Sequence, residues 1–248
     1  MNRNFILALS FFLYTLQVMA QQKDAGAPLL FVPNEGQWEQ PFLYKGISAS
    51  ADIYLEKEGI TYVVGDAANP GKIHAFKELE NPVPPVLRFH AYKMKWLNAN
   101  TGALTSGSKK QPFYHNYFLG NNPARWKGNV GVFGNVDYSE LYPKIDLHLS
   151  SDKGHLKYDF IVKAGGDPGD IRLSFEGLDG MRVIDGNLLL QTSVGQITEM
   201  APYAYQYIDG VLKEVPCRYK LSGQELRFSF PRGFDESQNL IIDPVIVF

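Results

Sequence analysis

The stretch YPKIDLHLSSDKGHLKYDFIVKAGGDPGDIRLSF, residues 142–175, decides the fold class. Apolar side chains fall on every second residue: Ile145, Leu147 and Leu149, then Leu156, Tyr158, Phe160 and Val162, then Ile171, Leu173 and Phe175. Polar residues fill the positions between them. Successive side chains of a strand point to opposite faces, so this two-residue period belongs to an antiparallel sheet packed on one side and wet on the other. The stretch reads as strand, turn, strand, sharp turn, strand.

The same alternation recurs on either side. Ala51, Ile53 and Leu55, then Leu87, Phe89 and Ala91, and later Leu226 and Phe228 each mark one face of a strand. Residues 42–47, 51–55 and 60–64 read as a meander, 113–119 and 130–138 as further strands, and 240–248 as the last. Asp185-Gly186-Asn187 and Asp209-Gly210 are hairpin turns, because Gly and Asn accept the positive φ such turns need. The second leads into a strand over residues 211–221.

Residues 65–85, with Pro82, Pro84 and Pro85, read as a long loop, and residues 98–112, rich in Gly, Ser and Lys, as a mobile one. Asn122 and Pro123 predict a single helical turn with Trp126 sealing a core edge. Trp38, after the Asn34-Glu35-Gly36 turn, is placed over the end of a sandwich, a ring for ligand stacking being the alternative. A helical period sustained for three turns occurs nowhere. The expected fold is all-β, antiparallel and β-sandwich-like, with negligible helix and two packed β sub-regions over residues 21–134 and 135–248. One continuous domain is the alternative.

The first 20 residues carry Arg3, an apolar run over residues 5–16 and Val18-Met19-Ala20 before Gln21, the pattern of a secretory signal peptide. Export to the medium or the outer cell surface follows, with no transmembrane segment left after cleavage, since a span needs about 20 apolar residues. The formal charge is −2 and no basic block occurs, which excludes nucleic acid as a partner. Cys217 is the single cysteine, so the fold is held without an internal disulfide. Val215, Tyr219 and Leu221 share its strand face and make it a buried, inert thiol.

Chemistry is sparse. No Gly-x-Ser-x-Gly occurs, and no Gly-rich loop opens a helix to cradle a phosphate. Pairing Leu149 with Gly154 would set His148 opposite His155 and Asp146 opposite Lys157. A register shifted by two would oppose Asp146 and Asp159, and like charges directly opposite are unfavourable. The preferred register makes His148, His155 and Asp146 the metal candidate, although zinc wants three or four ligands and a solvated sheet face is the plainer reading. Asp146 and Asp159 are also the carboxylates a glycosidase would use, but they lie on a flat sheet with no cleft. Tyr203, Tyr205 and Tyr207 put three rings on one strand face, as a carbohydrate platform does; cross-strand packing explains them as simply. No cofactor is expected.

The ordered set PNEGQW, NYFLGNNPARW, VDYSELYPKIDL, LKYDFIVKAGGDPGDIRLSFEG, EMAPYAYQ and LIIDP resembles the N-terminal β domain of large secreted Bacteroidetes proteins. In those proteins it precedes β-propeller-type repeats or gliding-motility and type IX sorting modules. The resemblance spans nearly all of the chain after the leader and implies no catalytic residues. It implies an extracellular, non-catalytic module with a structural or adhesive role, a glycan or another surface protein being its partner. A carbohydrate-binding module or a secreted glycoside-active enzyme is the alternative. The sequence ends at Phe248, where the resemblance would continue into repeats, so either a truncated reading frame or a piece of a longer protein is expected.

Overall fold

The computed structural model describes residues 28–47, 51–77, 83–152 and 154–247. The leader expected over residues 1–20 lies outside them.

Strands dominate, as the alternation requires. β1 (Leu30–Pro33) pairs with β2 (Tyr44–Ile47), which forms the expected antiparallel meander with β3 (Ala51–Leu55) and β4 (Gly59–Gly65), Tyr44 lying opposite Leu55 and Ala51 opposite Val64. Gly59 opens β4 because a Cβ there would stand 2.2 Å from the Met94 carbonyl oxygen. α1 (Asn69–Lys77) and β5 (Phe89–Trp96) follow.

The reading of residues 65–85 as loop is corrected by α1. This helix has no apolar stripe; it is held by the side chain of buried Asn69, which donates to the Arg88 carbonyl at 2.7 Å and accepts from the Arg88 N–H at 3.1 Å. Asp66 accepts from the Ala68 N–H at 2.9 Å at its start.

β6 (Leu104–Tyr117) and β7 (Lys127–Tyr142) make the longest hairpin. β6 overturns the mobile loop expected over residues 98–112. It pairs with β7 alone, with most of its side chains in solvent, so the backbone ladder holds it without an apolar period to betray it. The turn at Pro123–Arg125 is 3-10, capped by the Asn122 side chain as the sequence predicts. Trp126 seals no core edge: it is 43% exposed at the hairpin tip, its ring edge-on to Phe118 at 5.6 Å. The sub-region boundary drawn at residue 134 falls inside β7.

β8 (Ile145–Asp152) and β9 (His155–Val162) are the strands of the opening stretch, followed by a 3-10 turn at Pro168–Asp170 and β10 (Leu173–Glu176). Then come β11 (Gly180–Ile184), β12 (Asn187–Thr192), β13 (Gly195–Glu199) and β14 (Tyr203–Ile208). The Asp185-Gly186 and Asp209-Gly210 turns adopt the positive φ values expected, 50° and 83°, then 53° and 77°. β15 (Val211–Glu214), β16 (Arg218–Ser222), β17 (Glu225–Ser229), β18 (Leu240–Asp243) and β19 (Ile246–Val247) complete the chain. Pro216 interrupts the strand expected over 211–221, and Pro244 the one expected over 240–248, because proline lacks the N–H that continues a ladder.

Two antiparallel sheets result. The larger has 15 strands and runs β15-β14-β18-β9-β8-β7-β1-β2-β3-β4-β5-β10-β17-β16, with β6 on β7; the smaller runs β11-β12-β13-β19. The end strands of the larger sheet, β15 and β16, are consecutive in sequence, so residues 215–217 hold the two ends of that sheet next to each other. The sheet therefore curls until its halves face each other. Trp96 of β5 meets Tyr138 of β7 at 4.9 Å, and Phe160 of β9 meets Phe228 of β17 at 6.0 Å. Tyr138 donates to the Glu56 carbonyl at 3.0 Å and Tyr142 to the Arg172 carbonyl at 3.1 Å. One core unites residues from both halves and Leu188, Leu190 and Ile197 of the small sheet.

Candidate functional site

The β8–β9 hairpin pairs in a register displaced by four residues from the expected one: Leu147 faces Phe160 and Leu149 faces Tyr158. An even shift keeps the apolar residues inside, so the alternation could not distinguish the two. The strands stay paired to Asp152 and His155, which adds Ser150, Ser151 and Asp152 to the ladder, and Gly154 takes a φ of 84° at the turn. The histidine pair is thereby dissolved. His148 lies opposite Asp159, His155 opposite Asp152 and Asp146 opposite Ile161. Among the described residues no group of three or more His, Cys, Asp or Glu side chains is placed to hold a metal ion.

The correct register assembles a different constellation on the same outer face. Asp137 of β7 faces His148, His148 faces Asp159, and Tyr203 faces Asp243. The β9–β18 ladder pairs Ile242 with Phe160 and Val245 with Lys157, so Asp243 falls opposite Asp159. Asp137, His148, Asp159, Asp243 and Tyr203 thus form one row across five strands. His148 Nδ1 contacts Asp137 Oδ1, and Ser108 donates to Asp137 Oδ2 at 2.8 Å. Asp146 is tied instead to Lys163 at 2.9 Å and to the Glu140 N–H at 2.8 Å.

Lys157 bridges the two facing aspartates, 3.2 Å from Asp159 and 2.9 Å from Asp243. Their side chains are only 13% and 16% exposed. Burial first, and then the Asp243 carboxylate, pushes the Asp159 carboxyl up to about 6 against the pull of Lys157. Asp159 Oδ1 and Asp243 Oδ1 are both buried without a hydrogen-bond donor.

Beside this cluster stands the tyrosine ladder of β14. Ala204 and Gln206 point inward, which leaves Tyr203, Tyr205 and Tyr207 outward, with Tyr203 40% and Tyr207 53% exposed. Ring centroids are 5.6 Å apart between Tyr203 and Tyr205 and 5.8 Å between Tyr205 and Tyr207. The sequence placed these rings on one face correctly. It gave no sign of Asp243 next to them, because that pairing joins strands distant in the chain.

A second acid, Glu199 of β13, is fully buried at the joint between the sheets. It accepts hydrogen bonds from Tyr158 of β9 at 2.5 Å and Tyr219 of β16 at 2.6 Å, and burial pushes its carboxyl up to about 7. The stacked rings of Tyr62 and Tyr92, 4.7 Å apart, lie close enough for Glu199 to raise both their hydroxyls further. Glu199 is enclosed and meets no solute, so it belongs to the core rather than to a site. Cys217, half-buried against that core, has its thiol pushed up to about 12 by burial.

Fold and face together define an all-β domain of two packed antiparallel sheets whose polar constellation lies on an open sheet surface. Residues 31–245 match the family described as Domain of unknown function (DUF7948), and the chain belongs to that family. No curated protein and no solved structure matches the chain. Among the described residues no helix is long and apolar enough to cross a membrane.

Proposed function

We propose that the chain is a non-catalytic structural and adhesive module that binds a glycan chain across the β14 tyrosines. The observation that carries this reading is the outward ladder of Tyr203, Tyr205 and Tyr207 beside Asp243, Asp159 and Lys157. Aromatic rings pack against the apolar C–H faces of sugars, while carboxylates and an ammonium bond their hydroxyls. A row of solvent-facing rings suits an extended polymer and retention rather than enclosure of a reacting bond. The signal-peptide pattern and the resemblance to the leading domain of large secreted Bacteroidetes proteins support an outer-surface setting, where adhesion has a use.

A glycan array on the purified chain tests it. Binding that is lost in Tyr203→Ala and Tyr207→Ala supports the reading, and an array blank at every glycan sinks it. The enzymatic alternative is favoured by one observation, the Asp159–Asp243 pair with its raised carboxyl. Against it stands Lys157, which holds both carboxylates in ion pairs. A hydrolysis screen separates the two: turnover abolished by Asp159→Asn or Asp243→Asn would replace binding with catalysis.

A further inference from the structure

A concavity lies at the β2–β3–β4 part of the large sheet and shares no residue with the β14 face. It is a groove of about 340 Å³ lined by Trp38, Pro41, Phe42 and Tyr54, with Gln40, Lys45, Glu56 and Thr61 at its polar side. Phe42 is buried and forms its floor; its ring lies 5.3 Å from Trp38 and 5.0 Å from Tyr54. Behind it, Trp38 leans edge-on against Tyr117 at 4.9 Å and packs on Val32, Val130 and Val132, which fixes the indole in place. The rings are therefore preset and pay little to order on binding.

The charges of the groove are already spent on each other. Lys45 pairs with Asp52 at 2.9 Å, and its Nζ sits 5.3 Å from the centre of the Tyr54 ring. Glu56 receives Thr61 Oγ1 at 2.6 Å on one oxygen and Lys93 at 2.5 Å on the other. A cationic ligand would find Tyr54 occupied by Lys45 and Glu56 neutralised by Lys93; an anion would find Lys45 held by Asp52. What remains are aromatic faces, spare Lys45 donors, and free lone pairs on Thr61 and Glu56. These match a neutral molecule with one apolar face and a rim of hydroxyls.

From this geometry we infer that the Trp38–Phe42–Tyr54 groove binds a neutral pyranose ring, stacked on the aromatics with its hydroxyls bonded to Lys45, Glu56 and Thr61. Pockets of roughly 300 Å³ and above are of ligand-binding size, so the groove takes one or two rings rather than a long chain.

The test follows the Trp38 indole N–H, assigned by Trp38→Phe, in a ¹⁵N-labelled chain titrated with methyl pyranosides of glucose, galactose and mannose, with their β-linked disaccharides, and with choline and inorganic phosphate. Expected are saturable shifts of Trp38 with at least one pyranoside and none with choline or phosphate. Lys45→Met and Thr61→Val should each weaken that affinity about fivefold or more through the lost hydrogen bond, whereas Tyr203→Ala leaves it unchanged. Should either groove variant misfold, the Trp38 shifts of the unmodified chain still decide. The disaccharide arm separates a free sugar from the end of a chain. No pyranoside or disaccharide shifting Trp38, or choline shifting it instead, would overturn the inference. Loss of array binding in the tyrosine variants with Trp38 still responding leaves the two sites distinct.

Discussion

Glu199 shows how one residue can set the pH response of the whole fold. Its carboxyl sits at about 7 in the folded chain against 4.5 as the ordinary value, because burial opposes the charge more than the Tyr158 and Tyr219 hydroxyls favour it. The folded state then binds the proton more tightly than the unfolded one, so this contribution is complete below about pH 4.5 and is lost as the pH rises through 7. The difference corresponds to about 3 kcal/mol between those limits. Thermal melting should therefore give a higher Tm near pH 5 than near pH 8, and Glu199→Gln, which imitates the protonated acid, should flatten that slope. A Tm that rises with pH would refute the assignment. Asp159, also raised, acts in the same direction near pH 6. Lys157→Met should steepen the loss above that pH, since it strips both aspartates of their shared cation; urea melts at pH 5 and pH 8 measure the difference. Glu199 shares the inward face of its strand with Ile197, two residues earlier, but the strand over residues 195–199 was not read from the sequence. The two tyrosine partners of Glu199 were not legible either, because they come from strands about 20 and 40 residues away in the chain.

At the level of elements, what could be read depended on whether a strand buries a face. β3, β8, β9 and β14 bury one and were visible as alternation. β6 buries almost nothing, so only its backbone pairing makes it a strand, and composition pointed to a loop. α1 escaped for a similar reason: its anchor is the Asn69 side chain on the Arg88 backbone rather than an apolar stripe. Asn69→Ala should accordingly cost about 1 kcal/mol in denaturant melts, since it removes the partner of the Arg88 N–H, while the Arg88 carbonyl keeps its bond from the Asp66 N–H. A variant within a few tenths of wild type would show that α1 is not held this way. In the β8–β9 hairpin the charge rule correctly disfavoured Asp146 against Asp159, yet the chain places Asp159 against another acid, Asp243, and repairs the conflict with Lys157.

For the molecule as a whole, the sequence announced an all-β domain but not its closure. The large sheet ends in β15 and β16, and residues 215–217 carry the chain from one end to the other, a step that no local pattern encodes. The pairing of β18 between β9 and β14 sets β7, β8, β9, β18 and β14 side by side and so creates the row from Asp137 to Tyr203. The candidate site is a product of topology laid over a readable alternation. The direct test of the adhesive reading is calorimetric titration, with the best array glycan, of the wild-type chain and of Tyr203→Ala, Tyr207→Ala and Asp243→Asn. Binding weakened about tenfold or more in each tyrosine variant, and reduced in Asp243→Asn, is the expected result. Unchanged affinity in all three would place the ligand elsewhere and contradict a binding role for the β14 face.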